Sequence, residues 1–310
     1  MMPDTHAHRD AAFVAAELIA VIVAVTDGQP RVLTIEQGRA LPSGPFEFGH
    51  RSLQAGLRSW VERQTHHPLG YVEQLYTFAD RDRTDGVAER VVSVSYLGLT
   101  REARLAREPG AGWQGWYRYF PWEDRRGEAS AMVSDPLVPP LTAWADAAPD
   151  AASRRARRHR VAVNFGQDGQ RWNEELVLQR YEILWEAGLV PEAGAQSALP
   201  GTPMAHDHRR ILATGIARLR AKIKYRPVVF ELMPPSFTLL QLQRAVEALA
   251  GRLLHKQNFR RLIDQQDLVE ETGEVATETG GRPAKLFRFR REILAERAVI
   301  GSKLPLVRAV

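Results

Sequence analysis

Lys256, Gln257, Asn258, Arg260 and Arg261 fall in one run of six residues. Successive 100° helical steps turn Gln257, Arg260, Arg261 and Asp264 away from the apolar Phe259, Leu262 and Ile263. Guanidinium and amide groups on one exposed helix face match what the major groove of a duplex offers, since Arg suits the acceptors of guanine and Asn or Gln suits adenine. Downstream, Arg282 and Lys285 lie at the end of a polar, Gly-rich stretch from Gly273 to Pro283, where a loop can lay cations along phosphates or in the minor groove. Upstream, Thr238 and Gln241 have the Thr-x-x-Gln spacing of a capping box. They start a helix that belongs to the same predicted contact set.

The elements that must position these groups follow from the apolar spacing. Leu242, Val246 and Leu249 form a stripe ended by Gly251, which predicts a helix after Thr238. A second helix is predicted from about Lys256 to Gln266, and strands over Leu268 to Glu271 and Lys285 to Phe289. Helix, turn, helix and a two-stranded wing is the order of a winged helix-turn-helix domain. That order also serves protein-interaction modules, so a module that binds no DNA remains the bland alternative.

The charge supports a polyanion partner. From Asp207 to Val310 the chain has 20 basic against 11 acidic residues, and from Met1 to His206 it has 22 against 26. The overall +5 therefore divides into +9 at the C-terminal end and −4 before it. There is no Cys, which excludes disulfide scaffolds, thiol nucleophiles and Cys-ligated zinc or iron–sulfur centres. The apolar run Ala11 to Val25 carries Glu17 and is too short to span a bilayer. No membrane segment is expected, and the expected compartment is the cytoplasm.

The first hundred residues read as α+β. Leu18 to Val25 and Arg31 to Ile35 are strands joined by the turn signal Asp27-Gly28. Ser52 caps a helix with Leu53, Leu57, Trp60 and Val61 on one face. Gly70 to Phe78 and Arg90 to Leu99 are strands, joined by the charged loop from Asp80 to Arg83. The middle, Arg101 to Pro200, is broken by Gly and Pro. Its Trp113, Trp116, Trp122 and Trp144 are expected in the core, and the run Arg154 to Arg160 is expected as a solvated loop. Asn173 to Ala187 predicts a helix capped by Asn173, and His208 to Lys224 another, with Leu212, Ile216, Leu219 and Ile223 inward.

At the C-terminal end the residues become recognisable. Phe237-Thr238-Leu239, Lys256-Gln257-Asn258-Phe259-Arg260-Arg261, Glu270-Glu271-Thr272-Gly273 and Gly280-Gly281-Arg282-Pro283-Ala284-Lys285-Leu286-Phe287-Arg288-Phe289 closely resemble the DNA-binding domain of Nudix-related transcriptional regulators of NAD metabolism, the NrtR type. The resemblance implies a Nudix-like domain in front. The Nudix pattern, started at Gly44, wants glutamate at positions 50, 59, 62 and 63, arginine at 58 and glycine at 65. The chain supplies His50, Ser59, Glu62, Arg63, Arg58 and Thr65. Nudix hydrolysis needs carboxylates on one helix face to hold Mg²⁺, and Ser59 and Arg63 remove two of them and add a cation. The expectation is a degenerate Nudix-like domain, catalytically inactive, with no required cofactor. A hydrolase with relocated ligands such as Glu47, Glu62 and Glu73 is the enzymatic alternative.

What the resemblance implies instead is a sensor for a nucleotide: ADP-ribose, or ATP or an NAD-related nucleotide if the chain is similar to the NadQ-like branch. Arg58, Arg81, Arg83 and Arg90 are the candidate contacts to a diphosphate, because guanidinium groups pair with phosphates. Trp60 or Tyr96 is a possible base platform, with a core role as the alternative. His6 with His8, His66 with His67 and His206 with His208 lack the spacing of a helical metal pair, and no metal is assigned. No Gly-x-Ser-x-Gly elbow supports serine catalysis. The expected division is residues 1–205 as the sensing domain, 206–226 as a connecting helix and 227–310 as the winged helix-turn-helix. One reading helix covers a short half-site, so a homodimer on a palindromic operator is expected, acting as a repressor of NAD biosynthesis genes.

Overall fold

The computed structural model describes residues 14–79, 90–103, 110–127, 135–194, 199–276 and 283–290. A six-stranded mixed sheet forms the first domain, from β1 (Val14–Thr26), β2 (Gln29–Thr34), β3 (Ser43–Pro45), β4 (Tyr71–Phe78), β5 (Arg90–Leu99) and β6 (Gly112–Gly115). Its order is β4-β5-β1-β2-β6. β1 runs parallel to β5, while its other edge is divided between β3 near the start and β2 near the end. Asp27 and Gly28 both take positive φ, 50° and 69°, as the tight β1–β2 turn demands.

β1 is apolar at nearly every position because it is covered on both faces. Leu18, Ala20, Ile22 and Ala24 face α1 (Leu53–Thr65) through Leu57 and Val61. Ile19, Val21 and Val23 face the opposite core, which α5 (His208–Lys222) enters with Ile211, Leu212, Ile216 and Leu219. The crossing is close: a Cβ on Gly215 would stand 2.8 Å from Cγ1 of Val21. The connecting helix is thus also a central core element of the first domain.

The middle segment folds against α5. β6 closes the sheet edge, and Trp116, Tyr119, Phe120 and Trp122 are buried behind it. Then come α2 (Val138–Asp146), α3 (Ala151–Phe165) and α4 (Val177–Glu186). The run Arg154 to Arg160 lies inside α3, which corrects the expected loop. Asp150 caps that helix, accepting from the N–H groups of Ala152 and Ser153 at 2.8 Å, and Gly166 ends it at φ 64°. Its charges are dispersed among neighbours: Arg158 meets Asp146, Arg160 meets Glu186, each at 2.7 Å, and Arg157 lies over Trp144. α4 begins at Val177 and not at Asn173, because Asn173 spends its side chain on the N–H of Glu175 in a local turn.

The winged helix comprises α6 (Leu239–Ala250), α7 (Lys256–Gln266), β7 (Val269–Ala276) and β8 (Ala284–Phe289). β7 runs five residues beyond the expected Glu271 and passes through Gly273, at φ 84°, where the register shifts. Residues 273–276 of the expected loop Gly273 to Pro283 thus belong to β7. The loop Asp80 to Arg83 and the residue Arg282 lie outside the described residues. Among the described residues, no helix is long and apolar enough to cross a membrane.

One buried polar contact ties α5 to the sheet's entry loop: Nδ1 of His208 accepts the N–H of Leu41 at 2.9 Å. Burial, helped by neighbouring His206, holds this imidazole down at about 4 from an ordinary 6.5. A pKa depressed on folding means that the unfolded chain binds the extra proton, so the contribution is whole above about pH 6.5 and is lost as pH falls towards 4. Stability should therefore fall by about 2 kcal/mol between pH 7 and pH 5 from this group. His208→Asn, which keeps an acceptor and cannot titrate, should remove that part of the slope in urea unfolding at the two pH values.

Candidate functional site

The face that could meet nucleic acid is built from α6 and α7. Thr238 and Gln241 form a complete capping box: Oγ1 of Thr238 accepts from Gln241 N–H at 3.2 Å, and Oε1 of Gln241 accepts from Thr238 N–H at 2.7 Å. Thr238 is buried and its hydroxyl oxygen accepts within the cap, so what it can offer a partner is its O–H and the backbone at the helix start. Gln241 is exposed. α7 buries Phe259 against the core while Lys256, Gln257, Asn258, Arg260 and Arg261 are all exposed. None of these five side chains has a hydrogen-bond or ion-pair partner among the described residues. Such a set of unpartnered donors on a helix turned to solvent can bind acceptors without first breaking an internal contact.

The wing differs. Lys285 donates to both carboxylate oxygens of Glu271, at 2.8 and 2.9 Å, and Arg288 donates to Glu270 at 2.6 Å. Its described cations are internally neutralised, so Lys285 must leave Glu271 to serve a phosphate. Phe237 pairs with Phe287 through both backbone bonds, 2.9 and 2.8 Å, and Phe230 stacks on Phe289 with ring centroids 4.1 Å apart. The wing is thereby anchored to the start of α6.

In the first domain, α1 carries the Nudix-pattern positions 58 to 65, while Gly44 lies on β3 and His50 precedes the helix. Gly44 is required because a Cβ there would stand 2.3 Å from the ring of Trp60. His50 packs between Phe46 and Trp60, and the guanidinium of Arg63 lies 4.4 Å over the Trp60 ring. Where carboxylates would gather, the chain has aromatic rings and a cation. Glu73 forms an ion pair with buried Lys222, and Glu47 pairs with its own neighbour His50 at 3.9 Å, so Glu47, Glu62 and Glu73 are not assembled as metal ligands. Among the described residues, no group of three or more His, Asp or Glu could hold a metal.

Of the candidate diphosphate contacts, Arg58 donates to the carbonyls of Leu69 and Gly70, tying α1 to the loop before β4. Arg90 starts β5, and nothing is described of its side chain. Arg81 and Arg83 lie outside the described residues. Trp60 is half-buried, its indole donating to the carbonyl of Pro45 at 2.9 Å, and Tyr96 is buried.

A feature that sequence reading missed joins the two domains. Glu123 is fully buried and receives Arg180 at 2.6 and 2.8 Å and Arg220 at 2.6 Å. Arg220 also donates to the carbonyl of Leu249 at 2.9 Å, near the end of α6. Beside it, Tyr117 donates to Ala248 at 2.7 Å, and the N–H of Arg125 to Gly251 at 2.7 Å. Burial pushes the Glu123 carboxyl up, but the two guanidinium groups prevail and hold it below the usual carboxylate range. The signal was absent from the sequence because Glu123, Arg180 and Arg220 lie up to 97 positions apart.

Fold and site together define a two-domain protein, a Nudix-like domain joined to a winged helix domain. The particular relatives sharpen this. Residues 229–289 match the NrtR DNA-binding winged helix domain family. Over 86 residues, 28% of this chain, the protein is 42% identical to the ADPR responsive transcriptional repressor NtrR of Acinetobacter baylyi, and the match spans 34% of that relative's length. The fold is similar to NrtR of Shewanella oneidensis solved with a 27mer DNA, at TM-score 0.55 and 20% identity over 89% of this chain and 93% of that one. It is also similar to a MutT/nudix family protein of Enterococcus faecalis, at TM-score 0.53 and 15% identity over 94% and 89% of the two chains.

Removing one member of a buried charge cluster leaves the others uncompensated. Glu123→Gln should cost about 3–5 kcal/mol in urea unfolding. A loss below about 1 kcal/mol would show that the cluster contributes little.

Proposed function

We propose that this protein is a transcriptional repressor that binds DNA through α7 and responds to a nucleotide held by its Nudix-like domain. The observation that carries the reading is the five exposed, unpartnered polar side chains of α7, in a domain of the NrtR DNA-binding kind. Arg260 and Arg261 supply guanidinium forks for guanine or phosphate, and Gln257 and Asn258 supply amides suited to adenine. Lys256 and the wing's Lys285 and Arg282 serve phosphates, while Thr238 and Gln241 present the start of α6. Two copies on a palindrome give the footprint that one reading helix lacks, so the working form is a homodimer.

ADP-ribose is the first candidate effector, in keeping with the repressor that the C-terminal part resembles; ATP and NAD-related nucleotides are the others. Arg58, Arg81, Arg83 and Arg90 remain the proposed diphosphate contacts, and the regulated genes those of NAD biosynthesis, read in the cytoplasm. Phe46, His50, Trp60 and Arg63 in place of a carboxylate cluster favour binding without hydrolysis. An effector acts only if it binds two conformations with different affinity. The shared element that such a change would tilt is the β1–β2 hairpin with α5, on which α6 is seated: Arg126 joins Gly28 at 2.6 Å beside it.

The test is fluorescence anisotropy with duplexes from upstream of the protein's own gene and of NAD-synthesis genes, at two salt concentrations, with and without ADP-ribose. Selective binding that ADP-ribose alters is expected; equal binding to every duplex, or none, returns the winged helix to an interaction module. Arg261→Ala should cost about 1–3 kcal/mol of discrimination at one base position. Arg282→Ala should weaken all sequences alike and lower the salt slope by about one, and Lys285→Ala less, because Glu271 already neutralises it. No Mg²⁺-dependent release of AMP from ADP-ribose is expected; a turnover abolished by Glu62→Gln would instead establish a hydrolase.

A further inference from the structure

Beneath α7 lies a pocket of about 420 Å³, within the range that takes small organic molecules. Its floor is apolar and comes from three places: Val229 after α5, Leu242 and Val246 on α6, and Phe259 and Ile263 on the inner side of α7. Leu253, 65% exposed, extends this apolar surface to the rim. The rim itself is cationic. Lys224, Arg226, Arg252 and Arg261 line it with one lining carboxylate, Glu174, which Lys224 approaches at 2.9 Å and Arg252 at 3.5 Å. Lys224 also pairs with Glu175 just outside, which leaves Arg226 and Arg261 as the uncompensated cations. The side chains of Arg226 and Arg261 have no hydrogen-bond or ion-pair partner among the described residues.

We propose that this pocket binds a small amphipathic anion, an organic carboxylate with an apolar body, its body between α6 and α7 and its carboxylate on Arg226 and Arg261. The charge balance selects the class. A cation would face the excess of guanidinium groups, and a neutral apolar molecule would leave them unused, whereas a carboxylate gains charge-assisted hydrogen bonds at the same place where its tail leaves water. The site has a consequence for the proposed function and rests on that reading for this part alone: Asn258 and Arg261 line the pocket and also belong to the outward face of α7. An anion that draws Arg261 to the rim withholds a cation from DNA.

The probe is decanoate, titrated calorimetrically into the full-length protein, with decylamine as the cationic counterpart of equal chain length. One decanoate per chain is expected, with affinity reduced about tenfold or more in Arg226→Glu and in Val246→Trp, which fills the floor, and decylamine weaker than decanoate by a similar factor. Circular dichroism checks Val246→Trp; if that variant does not fold, the exposed Arg226→Glu carries the test. Absence of decanoate binding below about 1 mM, equal binding of decylamine, or indifference to Arg226→Glu overturns the site. With duplex added, saturating decanoate should weaken DNA binding of the wild type and not of Arg226→Glu; unaltered DNA affinity overturns the coupling. Decanoate bound by a protein that binds no duplex supports the pocket and removes the DNA-reading proposal instead.

Discussion

Glu123 sits where water cannot reach it, between a guanidinium from α4 and another from α5, and one of those guanidinium groups also holds the last turn of α6. A charge in such a place is tolerated only when geometry and hydrogen bonds are complete. Here they are: Arg180 spends its remaining donor on the carbonyls of Asn164 and Asn173, and Arg220 on those of Glu174, Leu249 and Glu123 itself. Six separate segments are therefore tied together through one carboxylate and its two guanidinium groups. The middle segment, whose one sheet strand among the described residues is β6, supplies this carboxylate and the aromatic wall around it. Apolar packing continues from the sheet through α5 into α6, and the junction adds directional bonds to it, because apolar contacts are not themselves directional.

The same economy of charge separates the two halves of the winged helix. On the wing, Glu270 and Glu271 neutralise Arg288 and Lys285, so the two strands are joined by cross-strand pairs. On α7 the side chains of Lys256, Gln257, Asn258, Arg260 and Arg261 have no such partners among the described residues, and Phe259 holds the helix to the core. An interface that must exchange protein contacts for contacts with a polyanion gains most where nothing has to be broken first. Under the proposed function α7 meets its partner with donors already free, whereas Lys285 and Arg288 of the wing must first leave Glu271 and Glu270.

In the Nudix-like domain, aromatic rings and a cation occupy the surroundings of α1 where the Nudix pattern calls for carboxylates. Gly44 is kept because Trp60 crosses directly above it, and Arg58 because it fastens α1 to the loop before β4. Neither reason involves a metal. The positions that would have carried carboxylates now hold His50, Ser59 and Arg63, whose contacts are with Phe46, Trp60 and one another.

Much of this was legible along the chain. The Asp27-Gly28 turn, the Ser52 cap, the Thr238 to Gln241 capping box and the outward polar face of α7 all depend on residues within a few positions of each other, and each stands where its spacing places it. The winged helix was readable for that reason. Arg154 to Arg160 misled because seven residues with six charged or ionisable side chains look like a solvated loop, while the partners that quiet them, Trp144, Asp146 and Glu186, belong to other helices. Asn173 misled because its side chain found a nearer N–H than the helix offered. Local sequence thus determined the secondary elements and the chemistry of α7, since capping, turn geometry and helical periodicity act over one or two turns. Only the tertiary structure decided which charges are buried, that α5 is core as well as connector, and where the winged helix docks, because those outcomes rest on desolvation by segments distant in the chain.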